Sequence, residues 1–213
     1  MESRAIKIHS RYSNKVVMKI IPGHFATTHS HINYYIDITT LKIRQTEASE
    51  AARCLAANYS VNTPVDTIVC MDGMEVIGAF LAQWLTENGI HSLNTHKSMY
   101  VATPEIDVNR QIIFRDNVQN AIYNKNVLLL LASATTGKTV MRCMDCINYY
   151  GGRIVGISAV FSALPEIEGQ KVYSLFSTKD IPQYQTYSVR DCPFCQKHQK
   201  LDAIVNSYGY SRL

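Results

Sequence analysis

Residues 127–139 read VLLLLASATTGKT. An apolar run over 127–131 gives way to small residues, then to Thr135, Thr136, Gly137, Lys138 and Thr139. Such a run is a strand buried on both faces of a parallel sheet. The small residues after it are a loop, and the next amphipathic stretch, 139–150, is a helix with Val140, Met144 and Ile147 on one face, closed by Gly151-Gly152. A strand that delivers a loop to a helix start aims backbone N–H groups at one point, where the helix dipole also favours an anion. Ser133, Thr135, Thr136 and Thr139 add hydroxyls, Gly137 permits close backbone approach, Ala134 adds no bulk, and Lys138 adds a charge. Residues 133–139 are therefore a candidate phosphate cradle. The plainer reading is a βα turn capped by Thr.

The same grammar repeats on either side. Residues 32–38 (INYYIDI) read as a strand and 46–59 as a helix with Ala51, Ala52, Leu55, Ala56 and Tyr59 at helical spacing. VDTIVCM, 65–71, is a second buried strand. After it, Asp72 and Glu75 match a capping box, and Val76, Ile77, Phe80, Leu81, Trp84 and Leu85 form the apolar stripe of a helix that Asn88-Gly89 ends. Strands are also expected over 98–103, 111–115, 153–161 and 171–177, with PEIDVN, 104–109, as an exposed loop. Alternating strands and helices predict an α/β fold with a parallel sheet of about five strands. Ligands bind such sheets at the carboxyl ends of the strands, which selects the turns at 71–75 and 132–139.

The chain has 213 residues, 46% hydrophobic and 18% charged, with a formal charge of +4. One domain, 1–213, is expected. No basic run accompanies the charge, so nucleic acid is not an expected partner. The N-terminal MESRAIKIHSRYS lacks the apolar segment of a signal peptide, and no stretch reaches the length of a membrane span. Six cysteines without such a signal predict thiols in a reducing, cytoplasmic setting and no membrane partner. A Walker A loop would carry Gly where Ala132 stands, and would come after the first strand.

Thr135-Thr136-Gly137-Lys138-Thr139, followed by a helix and GGRIVGISAVF, resembles the orotate-type phosphoribosyltransferases, whose loop reads Thr-Thr-Gly-Gly-Ser/Thr. His31-Ile32-Asn33-Tyr34-Tyr35-Ile36-Asp37 resembles the family's early substrate strand. DTIVCMDGMEVIGAFLA, 66–82, is similar to its second βα unit, and Asp191-Cys192-Pro193-Phe194-Cys195 with LDAIVN to a C-terminal segment of some members. The resemblance implies a type I phosphoribosyltransferase-like fold, with a mainly parallel central sheet flanked by helices. Its core would cover roughly 46–177, under a small hood from roughly 1–45 and 178–213. It implies phosphoribosyl pyrophosphate as substrate, with Mg2+ as its counterion, a pyrimidine-like base, and a homodimer. It places the 5′-phosphate on 133–139, the pyrophosphate beside Met71, Asp72 and Gly73, and the base near Tyr34 or Tyr35. Those tyrosines alternate along a strand, so only one can face the pocket; core packing is the plainer role for either.

Departures fall where the chemistry should be. The family's two acidic residues before the loop are here Leu131 and Ala132. Its mobile basic loop corresponds to YVATPEIDVNR, with Ala102 and Thr103 and with Arg110 as the nearest cation, and Thr27 and Ser30 replace an early Lys and Arg. Losing one preorganised contact to a transition state costs about 10²–10³ in rate. Asp72 and Glu75 are candidates to hold magnesium from the other side, and Lys138 to stand in for a lost cation; a helix cap and a solvated lysine are the plainer readings. Two functions stay open: a phosphoribosyltransferase, or a non-catalytic nucleotide- or phosphosugar-binding regulator.

Cys143-x-x-Cys146 and Cys192-x-x-Cys195, with His198 following, have the spacing of zinc ligands. The first pair lies in a helix, so Cys192, Cys195 and His198 are the candidate set, and Cys143 is expected as a buried apolar thiol. His24, His29 and His31 cluster in GHFATTHSHIN; a metal is one reading of the three, and solvated histidines on a polar loop are the plainer one.

Overall fold

The apolar run at 127–131 becomes the middle of a central strand in the structure, a computed structural model that describes residues 1–59, 63–87, 92–95, 97–109 and 111–213. Strands β1 (Ile6–Ser10), β2 (Ser13–Ala26) and β3 (His31–Asp37) precede helices α1 (Thr39–Ile43) and α2 (Gln45–Ala56). Then come β4 (Thr67–Cys70), α3 (Glu75–Glu87), β5 (Tyr100–Ala102), β6 (Glu105–Ile106), β7 (Ile112–Ile113) and α4 (Asp116–Gln119). β8 (Asn126–Ala134), α5 (Lys138–Tyr149), β9 (Arg153–Ser162), β10 (Glu166–Ile167) and β11 (Gln170–Ser177) follow. The tail carries β12 (Thr186–Tyr187), α6 (Pro193–Gln196), β13 (Ala203–Asn206) and β14 (Gly209–Arg212).

The central sheet runs β10-β11-β9-β8-β4-β5, parallel throughout except for the β10–β11 edge pair. Its two faces are read directly from β8. Leu129 and Leu131 join Val140, Cys143 and Ile147 of α5 in one apolar cluster. Leu128, Leu130 and Ala132 join Ala51 and Leu55 of α2 and Ile77 and Leu81 of α3 in the other. Helices thus cover both faces, as a parallel sheet requires. α5 ends as its glycines predict: Gly151, at φ 76°, donates its N–H to the Asn148 carbonyl, and the N–H of Gly152 donates to Ile147, which is a Schellman closure. From β4 the chain crosses to β5 on one side, and from β8 to β9 on the other. A crevice therefore opens at the carboxyl ends of β4 and β8.

A second sheet, β12-β3-β2-β13-β14 with β1 on the flank of β2, joins both ends of the chain. It rests on α2 through Val16, Met18, Ile20 and Phe25. Ser13 fastens it: its hydroxyl donates to Glu50 of α2 at 2.6 Å, and the Arg53 guanidinium, on the same helix, donates to that carboxylate at 2.8 and 3.0 Å. These bonds, Arg53 first, hold the Glu50 carboxyl at about 2, below its ordinary 4.5. A depressed carboxyl contributes stability above its unfolded pKa and loses it as pH falls through the folded one. The melting temperature should therefore drop between pH 4.5 and 2, and Glu50→Gln should flatten that part of the profile.

Several expectations change. PEIDVN is not wholly a loop: Glu105–Ile106 pairs antiparallel with Ile112–Ile113, and this hairpin stands outside the central sheet. The capping box is not formed. α3 begins at Glu75, with the Gly78 N–H bonded to the Met74 carbonyl, because Asp72 and Gly73 both take positive φ (60° and 77°) and postpone the first helical turn. The Asn88-Gly89 stop lies outside the described residues, as does Arg110. No helix among the described residues is long and apolar enough to cross a membrane.

Candidate functional site

A cavity of about 270 Å³ lies between the second sheet and the carboxyl ends of β4 and β8. One wall runs from the end of β8 into α5, where Ser133, Thr135, Thr136 and Thr139 face the space with Ala132. Gly137 precedes α5 in a left-handed conformation, φ 75°, which explains the residue. A Cβ on it would meet Leu164 and Ile167 rather than the cavity, so this glycine shapes the turn instead of admitting a ligand. Ala134 is buried and Lys138 is exposed, and neither lines the cavity.

Opposite stand Asp72 and Lys42. Lys42 is 7% exposed, and its Nζ donates to the carbonyls of Asp72 and Ser207, the latter at 2.7 Å. Burial lowers its pKa, while Asp72 and then Glu75 oppose that shift. The Asp72 carboxyl is pushed up by burial, against a hydrogen bond from Ser207 and the charge of Lys42. A carboxyl held toward its neutral form beside a cation is a candidate proton donor or acceptor. Gly73 is required there by its φ of 77° and by Lys42 Nζ, which a Cβ would approach to 3.2 Å.

Glu75 is outside the cavity; the Thr103 hydroxyl donates to it at 3.0 Å. Met71 is also outside, buried against Cys143, whose Sγ lies 3.5 Å from its sulfur. Leu131 is fully buried in the α5-facing cluster. Of the two tyrosines, Tyr35 lines the cavity and Tyr34 does not. Tyr35 packs edge-on to Tyr210 at 5.4 Å, and burial pushes its hydroxyl up to about 12. The far wall comes from the β2–β3 turn at 27–30 and from the end of β13 with the residue after it, 205–207. Lys42 and Ser207 were not anticipated. Lys42 sits in TTLKIRQ, which carries no sign of burial, and Ser207 reaches the cavity only through pairing of the tail with β2.

The histidines and cysteines regroup as well. His24 and His31 are on strands, 1% and 7% exposed, and are not solvated loop residues. Their ring nitrogens gather with the Cys192 and Cys195 thiols, all four donor atoms within 4.8 Å of one another. His198 is exposed and not among them. It closes α6 at φ 56°, its N–H bonded to Cys195 and that of Gln199 to Phe194, a Schellman turn that spends the residue on backbone geometry. Cys143 and Cys146 lie apart from the group; all six cysteines are free.

Neither protein-family models nor curated proteins match the chain. Solved structures do. The adenine phosphoribosyltransferase of Thermoanaerobacter pseudethanolicus ATCC 33223 aligns over 83% of this chain and 96% of its own, at TM-score 0.52 and 14% identity. The orotate phosphoribosyltransferase of Mycobacterium tuberculosis H37Rv, in complex with 5-phospho-α-D-ribosyl 1-diphosphate, aligns over 69% and 82%, at 0.51 and 13%. The UMP synthase of Leishmania donovani aligns over 75% of this chain and 34% of its own, at 0.53 and 13%. The fold is that of the type I phosphoribosyltransferases.

Proposed function

We propose that the chain binds 5-phosphoribosyl pyrophosphate or a nucleoside monophosphate in this cavity and transfers phosphoribosyl to a planar, pyrimidine-like base. One observation carries the reading: four hydroxyl residues between the end of β8 and the first turn of α5 and the Asp72–Lys42 pair share one cavity. A ribose phosphorylated at both ends needs donors at both ends. Ser133, Thr135, Thr136 and Thr139, with the α5 dipole, suit the 5′-phosphate. Lys42 and the turn at Asp72 suit the pyrophosphate, and Asp72 is the carboxyl able to meet Mg2+ from that side. Tyr35 and the turn at 27–30 face the base. The solved relative bound to 5-phospho-α-D-ribosyl 1-diphosphate supports that substrate. A homodimer belongs to the same reading, supported by Ile106 and Val108, 51% and 97% exposed on the β6–β7 hairpin; sedimentation giving only monomer at micromolar concentration would count against it.

A specific observation favours a second reading, a binding protein without turnover: Leu131 and Ala132 offer no carboxylate to the ribose hydroxyls. Thermal shift and pyrophosphate release should be measured with phosphoribosyl pyrophosphate and a panel of pyrimidines and purines, with and without Mg2+. The transferase reading expects stabilisation and release with at least one base. Stabilisation without release from any base selects the binding protein. In either case Thr136→Val with Thr139→Val should weaken the phosphorylated ligand by about 1–3 kcal/mol, the range for hydrogen bonds to a charged group.

A further inference from the structure

We propose that His24, His31, Cys192 and Cys195 form a structural zinc site that pins the C-terminal tail to the β2–β3 turn. The four donors come from three segments that the sequence keeps far apart: the end of β2, the start of β3, and the first turn of α6. His24 Nε2 lies 3.0 Å from His31 Nδ1. The Cys192 and Cys195 sulfurs lie 3.4 and 3.6 Å from His24 Nε2, and Cys195 lies 3.3 Å from His31 Nδ1. Zinc bound at its usual Zn–N and Zn–S lengths sets the edges of a tetrahedron at about 3.3 Å for N–N and about 3.6 Å for S–N. Four of the six donor pairs are thus already close to the spacing of ligands around one small ion, and all lie within 4.8 Å of one another.

Orientation agrees with spacing. His24 Nδ1 faces the Gln199 carbonyl at 3.0 Å. A carbonyl can only accept, so Nδ1 carries the proton and Nε2 turns its lone pair to the centre, the outer-shell arrangement of metal-bound histidines. Phe194 stacks on the His24 ring at 5.1 Å and holds its plane. Cys192 is the N-cap of α6 and Pro193 its first residue, so both thiols come from one tight turn. Two nitrogens and two thiolates satisfy zinc with no position left open, which makes the site structural rather than catalytic. Binding releases the two thiol protons to solvent.

The consequence reaches the cavity. Thr27, Thr28, His29 and Ser30 lie between the two histidines in sequence and line the cavity, and so do Asn206 and Ser207, beyond the two cysteines. The ion would fix these two walls relative to each other. This inference does not depend on which ligand the cavity takes.

The full chain, expressed with zinc supplied, should carry one zinc per chain by atomic emission. Cys192→Ser or His24→Ala should carry less than about a tenth of that, since ligand loss undoes binding coupled to folding. His198→Ala and Cys146→Ser should keep the full equivalent. If the ligand variants do not fold, the unmodified chain decides: after chelation, added Co2+ should give the intense visible bands of a tetrahedral thiolate complex. A zinc content below a tenth in the unmodified chain overturns the proposal. So does a weak octahedral cobalt spectrum, loss of metal in Cys146→Ser or His198→Ala, or a Cys192–Cys195 disulfide in chain purified under reducing conditions.

Discussion

Leu131→Asp is expected to leave little folded protein, whereas Ala132→Asp, one residue on, is expected to fold. By the resemblance in sequence, both positions fall where the orotate-type phosphoribosyltransferases carry an acidic pair, so the natural experiment is to place carboxylates at both. The structure separates them. Leu131 is 0% exposed and packs with Leu129, Val140 and Cys143 between the sheet and α5. Replacing a core leucine by a small residue already costs about 2–5 kcal/mol. An unpartnered buried carboxyl adds a polar desolvation cost of roughly 1–3 kcal/mol even when protonated. The sum rivals the whole stability of an ordinary domain, about 5–15 kcal/mol. Ala132 is also buried, 2% exposed in the opposite apolar cluster, but it lines the cavity together with Ser133 and Thr139, where a carboxylate has polar surroundings. Urea denaturation should show Leu131→Asp unfolded or displaced by several kcal/mol, and Ala132→Asp within about 2 kcal/mol of the parent. Pyrophosphate release by Ala132→Asp above the parent rate would mark position 132 as the missing catalytic carboxylate. A folded Leu131→Asp with an unchanged midpoint would contradict the packing described.

Lys42→Met should be the most damaging single change within the cavity. Its ammonium donates to Asp72 and to Ser207, and so ties α1 to the turn after β4 and to the tail. Each bond from a charged donor contributes about 1.5–3 kcal/mol. Burying the ammonium offsets part of that, so the net loss is expected at about 2–3 kcal/mol, several degrees in melting temperature for a chain of this size. Affinity for phosphoribosyl pyrophosphate should fall as well, because the same cation faces the cavity. A variant with unchanged melting temperature and unchanged affinity would make Lys42 a bystander.

The core was legible because its signals are local. β8, α5, β4 and the body of α3 each declare themselves within a dozen residues, through an apolar run or a helical stripe. The Gly151-Gly152 closure follows from glycine's conformational freedom alone. The second sheet was not legible in the same way. β2 buries Val16, Met18 and Ile20 in alternation, then the register shifts between Pro22 and Phe25. The shift brings Phe25 into the apolar cluster of Val16, Met18 and Ile20, where a strict period of two would place it on the other face. The cradle's hydroxyls could be read from TTGKT, but the polar partners across the cavity could not. Lys42 meets Asp72 across 30 positions and Ser207 across 165. The D-x-x-E pattern at 72–75 misled for a physical reason: positive φ at Asp72 and Gly73 moves the helix start past it and leaves the carboxyl facing the cavity.

The central claim is that the loop at 133–139 holds the phosphate of a phosphoribosyl ligand, and calorimetric titration tests it most directly. Phosphoribosyl pyrophosphate titrated into the parent chain should saturate one site. In the Thr136→Val/Thr139→Val chain the affinity should fall by roughly 5- to 150-fold, the equivalent of 1–3 kcal/mol. Absence of saturable binding to the parent at millimolar ligand, or equal affinity in the two chains, would contradict it.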